Sequence, residues 1–220
     1  MKRFLRDNGL SIAMFGAFAA SAVGLVFVGW DTFNQEQEDH GHQAVGLVDY
    51  LTSADFGEAL FENWESEFLQ MGAYVLLTAF LFQRGSSESK DPDESEGAAD
   101  DTAQKSTKRD APWPVRRGGL ALAIYRHSLS IALLTFFAFS FVLHLITGAG
   151  KFSEEQLAHG GEPVTAVQYL FTSQFWFESL QNWQSEFLAV GVLIVLSIFL
   201  RQKNSPESKA VAAPHSQTGT

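Results

Sequence analysis

The chain has 220 residues, of which 46% are apolar and 20 are phenylalanine, and its formal net charge is -10. The acidic excess argues against nucleic-acid binding, which needs basic surface to neutralise phosphates. The lack of cysteine excludes disulfides, thiolate metal ligands and cysteine nucleophiles. Apolar and charged residues are segregated along the chain, a pattern typical of a membrane protein and not of one soluble core.

The first predicted element is an apolar helix near the N-terminus. Residues 10–30 contain no charged side chain. At ~1.5 Å per residue, such a run crosses the ~30 Å hydrocarbon layer. Together with the basic residues before it, the run could also be read as a secretory signal peptide. We favour a retained helix, because a matching run at 128–150 lies inside the chain and cannot be a signal.

The polar segment after this helix carries a Glu-x-x-x-His pattern. Glu36 and His40 are four residues apart, as are Glu155 and His159, and this spacing places both side chains on one helical face, as in some metal sites. We favour a simpler reading. A glycine follows each histidine, and a histidine before a glycine cap is ordinary at a helix C-terminus. Metal binding is therefore the weaker alternative, and no cofactor is expected.

The second predicted span begins at a tryptophan. The run from Phe68 to Phe82 gives ~22 Å of helix, too short to cross a membrane alone. An extension to Trp64 lengthens it enough to cross. Trp64 and Trp183 would then anchor two helices at the outer interface, with Glu67 and Glu186 less than one turn deeper. The favoured interpretation is a helix start with an aromatic anchor.

A sharper alternative makes the same two glutamates a site. If they face each other across the helix bundle, they form a polar cluster, and ionisable residues at such positions mark ion or proton sites. The candidate cluster consists of Glu67, Glu186, Asn63, Asn182, Ser66 and Ser185.

Two further features concern charge inside the predicted bundle. Glu58, Glu62 and Glu65 share one helical face. Because the matching positions later in the chain hold Phe and two Gln, we predict that this acidic stripe faces solvent. His144 interrupts the apolar run 128–150. We expect it to be a polar residue at the interface or facing the bundle, and proton handling is its alternative role.

The chain contains an internal duplication. A shift of 119 residues aligns 8–90 with 127–209 without a gap, with 34 identities in 83 pairs. This predicts an all-α integral membrane protein with four transmembrane helices, arranged as two tandem parallel helical-hairpin repeats. The domains are a first two-helix repeat (8–90), a disordered cytoplasmic linker (91–126), a second two-helix repeat (127–209) and a disordered C-terminal tail (210–220). The linker and tail are assigned from their polar composition.

The basic residues predict the orientation. Of 15 Lys and Arg, three precede the first helix, eight lie between the second and third, and three follow the fourth, so Lys151 alone falls in a loop on the other side. We expect the protein in the inner membrane of the cell. The positive-inside rule then predicts that both termini and the linker lie in the cytoplasm. The two units are then related by an axis along the membrane normal.

Three strings carry a resemblance to a known family: NWESEFLQM at 63–71, YLTS at 50–53 and RGSSESK at 84–90. With the two-unit plan, they resemble an uncharacterised family of bacterial multi-pass membrane proteins, a domain of unknown function. The second unit departs from the first string, with Gln184 at the position of Glu65. The resemblance implies a small bacterial membrane protein and implies no activity.

The sequence favours a non-enzymatic function. It contains no nucleophile–base pair, glycine-rich phosphate loop or zinc motif. We expect a binding or organising protein of the bacterial envelope. The alternative is a small cation or proton transporter or channel that uses the paired glutamates Glu67 and Glu186. The expected partner is the lipid bilayer, without nucleic acid. The sequence is compatible with a homo-oligomer and identifies no protein partner.

Overall fold

The computed structural model describes residues 2–93 and 111–219, and these ranges are helical and contain no strand. The prediction of an all-α fold is confirmed. The helices are α1 (Lys2–Asp7), α2 (Gly9–Asp39), α3 (Leu47–Leu51), α4 (Ala54–Leu77), α5 (Trp113–Arg117), α6 (Gly119–Arg126), α7 (Ser128–Ala158), α8 (Ala166–Leu170) and α9 (Ser173–Phe199).

Three helices are long and apolar enough to cross a membrane: α2, α7 and α9. This agrees with the predicted membrane protein. Helix α4, the second of the four expected spans, is not among the three. It carries several carboxylates, including Glu62, Glu65 and Glu67, which lower the apolar content of any 18-residue window.

Helix α4 packs antiparallel along α7, and this is the most extensive helix contact in the described ranges. Gly57 lies against Thr147, where an added Cβ would approach the threonine methyl to 2.5 Å. Nearer the other end, a Cβ at Gly72 would lie 3.0 Å from Leu134. Small residues at these positions let the two backbones approach closely.

Helix α9 packs on α4 as well, and its N-terminal part builds the buried core with α7 and α8. Thr172 caps α9 by accepting a hydrogen bond from the Phe175 backbone N–H. The ring of Phe175 is fully buried against Tyr169 of α8. The loop through α8 therefore holds the start of α9 against α7.

Helix α2 lies at the edge of this assembly. It contains no buried residue. It packs on α3, where Tyr50 fits against the Cα of Gly29, and Phe18 meets Trp64 of α4 with ring centroids 6.3 Å apart. Most of its apolar surface faces outward.

The predicted linker and tail contain more structure than their composition indicates. Residues 94–110 of the linker lie outside the described ranges, but its C-terminal end forms α5 and α6. Much of the tail forms turns next to the segment after α4. The Lys209 ammonium donates to four backbone carbonyls, among them His215 at 3.0 Å and Gln217 at 2.9 Å. Because a buried ammonium requires such acceptors, this contact holds the tail in place.

Candidate functional site

The acidic stripe of α4 faces the inside of the bundle. Glu58 is 5% exposed and Glu65 is 1% exposed, while Glu62 is half-buried. The prediction that this stripe faces solvent is wrong. The reason is that α7 and α9 supply hydrogen-bond donors to these carboxylates, and a pattern on one helix carries no sign of donors on another.

His144 of α7 lies between the acidic stripe of α4 and Glu178 of α9. It is 0% exposed. Its Nδ1 is 2.7 Å from Glu65 Oε2, and its Nε2 is 3.6 Å from Glu178 Oε2 on α9. The first distance is a hydrogen bond, whereas the second is too long for one. Nε2 is thus a buried nitrogen without a hydrogen-bond partner in the described ranges, aimed at a carboxylate.

The remaining oxygens of these two glutamates are also satisfied by donors. Glu65 Oε1 accepts from the Trp183 indole N–H at 3.0 Å. Glu178 accepts from the Tyr169 hydroxyl and from the Gln174 amide. Burial and the Glu178 carboxylate raise the pKa of the Tyr169 phenol, so this hydroxyl stays protonated and acts as a donor.

A second ion pair lies two helical turns further along α4 and α7. Lys151 Nζ is 2.7 Å from Glu58 Oε2 and 3.3 Å from Asp55 Oδ1. A small cavity of about 30 Å³ lies between this pair and Glu178. It is large enough for a water molecule, which needs ~10–15 Å³. Its lining is mostly polar, so a water here would contact Glu178 and the Lys151–Glu58 pair.

Negative charge is in excess at this place. We define the buried acidic cluster as Glu58, Glu62, Glu65, His144, Lys151 and Glu178. Within this cluster four carboxyl groups face two basic groups, and Asp55 adds a further carboxyl group next to Lys151. Because uncompensated buried charge is strongly unfavourable, the arrangement favours the uptake of a further proton.

Two buried hydroxyls extend the polar surface next to His144. Ser140 is one helical turn before His144 on α7, and Ser179 follows Glu178 on α9. Both side chains are almost fully buried, and neither oxygen has a hydrogen-bond partner in the described part of the chain. Polar groups in this state can bind water.

The six residues of the predicted polar cluster are divided by the structure. Glu67 is exposed and Glu186 is half-buried, with their carboxylates near enough to interact electrostatically. Asn182 donates to Glu62 Oε1 at 2.5 Å and so touches the buried acidic cluster. The other three side chains bond the carbonyls of their own helices: Asn63, Ser66 and Ser185.

The predicted anchors and weak metal ligands lie as follows. Trp183 hydrogen-bonds Glu65 inside the bundle, while Trp64 is half-buried beside Phe18 and Phe61. The two exposed histidines each place Nδ1 near the carbonyl oxygen four residues earlier: His40 at 2.7 Å from Glu36, and His159 at 2.8 Å from Glu155.

The cluster could have been found from spacing. Glu58 and Glu65 are seven residues apart on α4, and His144 and Lys151 are seven apart on α7. In an antiparallel helix pair, such equal spacings bring both pairs into register. No comparable spacing in the sequence indicates Glu178 or its contact with Tyr169, because both depend on the fold of the loop through α8.

Together these observations define an all-α protein with three helices able to span a membrane and an acidic cluster buried between its helices. Residues 1–220 match the family described as Domain of unknown function (DUF6766), and the chain belongs to this family. The expected resemblance to an uncharacterised family is thereby confirmed, while its bacterial origin stays an expectation. Comparisons with curated proteins and with solved structures gave no match.

Proposed function

We propose that the protein is a non-enzymatic binding protein of the bacterial inner membrane, and that its ligand is a proton held at the buried acidic cluster. The observation that carries this proposal is the position of His144. Its imidazole is fully buried between the carboxylates of Glu65 and Glu178, and Nε2 has no hydrogen-bond partner in the described ranges. Ionisable groups buried within membrane helices are costly and are functional by default.

In this proposal α4 also crosses the membrane, as the second of four spans along the chain. Its buried positions include Glu58, Glu65 and Ser66, which face the other helices, whereas Met71 and Leu77 are exposed. A helix that hides its polar face in a bundle can cross a membrane despite its charges. Four spans, together with the distribution of Lys and Arg along the chain, favour a topology with both termini in the cytoplasm.

The two hairpins are proposed to be tandem repeats. Support comes from contacts that recur 119 residues later. Phe33 and Tyr50 pack with tilted rings whose centroids are 5.5 Å apart, and the rings of Phe152 and Tyr169 are tilted with centroids 5.5 Å apart. Gly29 and Gly148 likewise each lie against the tyrosine of their own unit.

The chemistry of the cluster suits reversible protonation. A protonated His144 gives two carboxylates one shared cation. A neutral His144 leaves both carboxylates in a low-dielectric site with less compensation, and this is unfavourable. The Tyr169 hydroxyl donates to Glu178, and a small cavity lies between Glu178 and the Lys151–Glu58 pair. The cluster can therefore hold a proton.

The test is a pH titration of the protein in lipid, followed by the infrared band of protonated carboxyl groups. We expect a pH-dependent band that is lost or shifted in His144→Leu, which carries the residue found at the matching position of the first repeat. Glu67→Gln, at an exposed position, is the matched control. A titration that is the same in wild type and His144→Leu, with both folded, would contradict the proposal. Addition of NaCl or KCl at constant pH shows whether a metal cation competes.

Transport of the bound proton is a second candidate, favoured by the unpartnered hydroxyls of Ser140 and Ser179 next to the cluster. Proteoliposomes with an internal pH indicator should then show proton flux that His144→Leu abolishes. Proton binding without flux would leave the binding function and remove transport.

A further inference from the structure

A cavity lies between α4 and α9, in the half of the two helices that is away from the buried acidic cluster. Its volume is about 340 Å³, within the range of ~300–1,000 Å³ that is typical of small-molecule sites. It extends from Gln70 and Phe187 to the segment that follows α4, where Glu88 lines its end. The proposed topology places this end on the cytoplasmic side.

The walls of this cavity are largely apolar. The apolar side chains that line it include Leu77, Phe187, Val190 and Ile194. Gly191 leaves one wall open, because a Cβ added there would meet nothing within 4 Å. Since the burial of apolar surface is favourable, these walls suit the hydrocarbon part of a ligand.

The cytoplasmic end of the cavity is acidic. The Tyr74 hydroxyl donates to Glu88 Oε2 at 2.7 Å and so orients this carboxylate. Glu207, at the matching position of the second repeat, is near enough to interact electrostatically with the same hydroxyl. In the described ranges, neither glutamate forms a salt bridge with a Lys, Arg or His side chain. Two carboxylates without a basic partner attract a cation to this end.

The fold that the two repeats share does not require the polar residues of the cavity wall. Gln70 and Tyr74 line the cavity on α4. The matching positions on α9 hold Ala189 and Leu193. Contact with a polar group of a ligand accounts for polar side chains at positions where the other repeat is apolar.

A phospholipid is the competing occupant, because the cavity lies within the proposed bilayer. Its hydrocarbon tail fits the walls, but its head carries a phosphate. A phosphate next to Glu88 and Glu207 is disfavoured by like-charge repulsion, whereas an ammonium group is attracted. In addition, aromatic rings such as those of Tyr74 and Phe187 attract ammonium groups to their faces.

We infer that this cavity binds an amphipathic organic cation, with its apolar part between α4 and α9 and its ammonium group against Glu88. The carrying observation is the combination of an apolar cavity with a carboxylate held at one end by Tyr74. The inference does not rest on proton binding, because no residue of the buried acidic cluster lines this cavity.

The test is equilibrium binding of radiolabelled benzyltrimethylammonium to the whole protein in lipid nanodiscs at constant pH. We expect saturable binding. Glu88→Gln keeps an acceptor for Tyr74 but removes the charge, and it should weaken binding by about tenfold or more. Gly191→Leu should abolish binding, because the new side chain enters the cavity without a clash at its Cβ. Unlabelled neopentylbenzene, which has the same shape without the charge, should compete poorly.

Two control variants change similar groups outside the cavity. Glu67→Gln removes an exposed carboxylate from α4, and Val192→Leu enlarges a side chain next to Gly191 that does not line the cavity. Both should bind the cation as the wild type does. Binding that does not saturate, or that is unchanged in Glu88→Gln and Gly191→Leu, would show partition into the bilayer only and overturn the inference.

Competition by neopentylbenzene as strong as that by the unlabelled cation would also overturn it, because the cavity would then select apolar molecules without regard to charge. The infrared titration of the buried acidic cluster uses no organic cation. Failure of the cation to bind therefore leaves the proposal of proton binding unaffected.

Discussion

Glu65 and His144 lie 2.7 Å apart at the centre of the bundle, on helices from different halves of the chain. Seven residues away on each helix, Glu58 and Lys151 are also 2.7 Å apart. The antiparallel packing of α4 and α7 sets both distances. A shift of either helix by one residue would rotate each carboxylate by about 100° away from its base. The two pairs therefore fix the register of α4 against α7.

Glu65→Gln should destabilise the protein. The substitution keeps the shape but leaves His144 without the carboxylate that it hydrogen-bonds, and loss of one member of a buried ion pair costs about 3–5 kcal/mol. Thermal or denaturant unfolding of the lipid- or detergent-bound protein measures this loss. The control is Glu67→Gln, at an exposed position on the same helix, which should change stability by less than about 0.5 kcal/mol. Equal effects of the two substitutions would argue against a buried pair.

Tyr169→Phe should weaken the core and change its response to alkali. It removes the hydrogen bond to Glu178 at a cost of about 1.5–3 kcal/mol, the range for bonds to charged groups. Burial raises the pKa of this phenol, so its contribution to stability is complete below the ordinary value of about 10 and declines as the pH rises above it. As the pH rises through this range, the free energy of unfolding of Tyr169→Phe should therefore fall less than that of the wild type. Tyr50→Phe, at the matching position, is the comparison.

Lys209→Met should release the C-terminal tail. The ammonium of Lys209 is fully buried among carbonyl oxygens, and a methionine leaves these acceptors unpaired. We expect faster proteolysis after residue 205 and faster hydrogen exchange at Gly219, whose N–H bonds the Ser86 carbonyl. Lys90→Met changes the exposed counterpart in the first repeat and should have no such effect. A tail that remains protected in Lys209→Met would show that other contacts hold it.

The orientation can be tested with single cysteines. Gln43→Cys and Gly161→Cys, in the loops after α2 and α7, should react with an impermeant thiol reagent in intact cells. Val211→Cys, which is 65% exposed in the tail, should react only after lysis. The reason is the excess of Lys and Arg on the proposed cytoplasmic side. Labelling of Val211→Cys in intact cells would reverse the topology.

The length and apolar content of the runs at 10–30 and 128–150 were sufficient to predict two of the helices that can cross a membrane. Helix formation in such runs depends on local hydrogen bonding and on the apolar surroundings, so it follows from the residues themselves. The alignment of 8–90 with 127–209 also anticipated that α2 and α7 would begin and end at matching positions. These features depend on neighbours along the chain.

The residues of α4 alone did not determine whether its acidic stripe faces solvent or the interior of the bundle. Glu58, Glu62 and Glu65 share a face whether that face meets water or a base. Lys151 pairs with Glu58 across 93 residues of chain, and His144 with Glu65 across 79. Local pattern therefore determined which residues share a helical face. Only the packing of α4 against α7 and α9 decided that this face is buried, because the free energy of a buried carboxylate depends on the donors that distant helices bring to it.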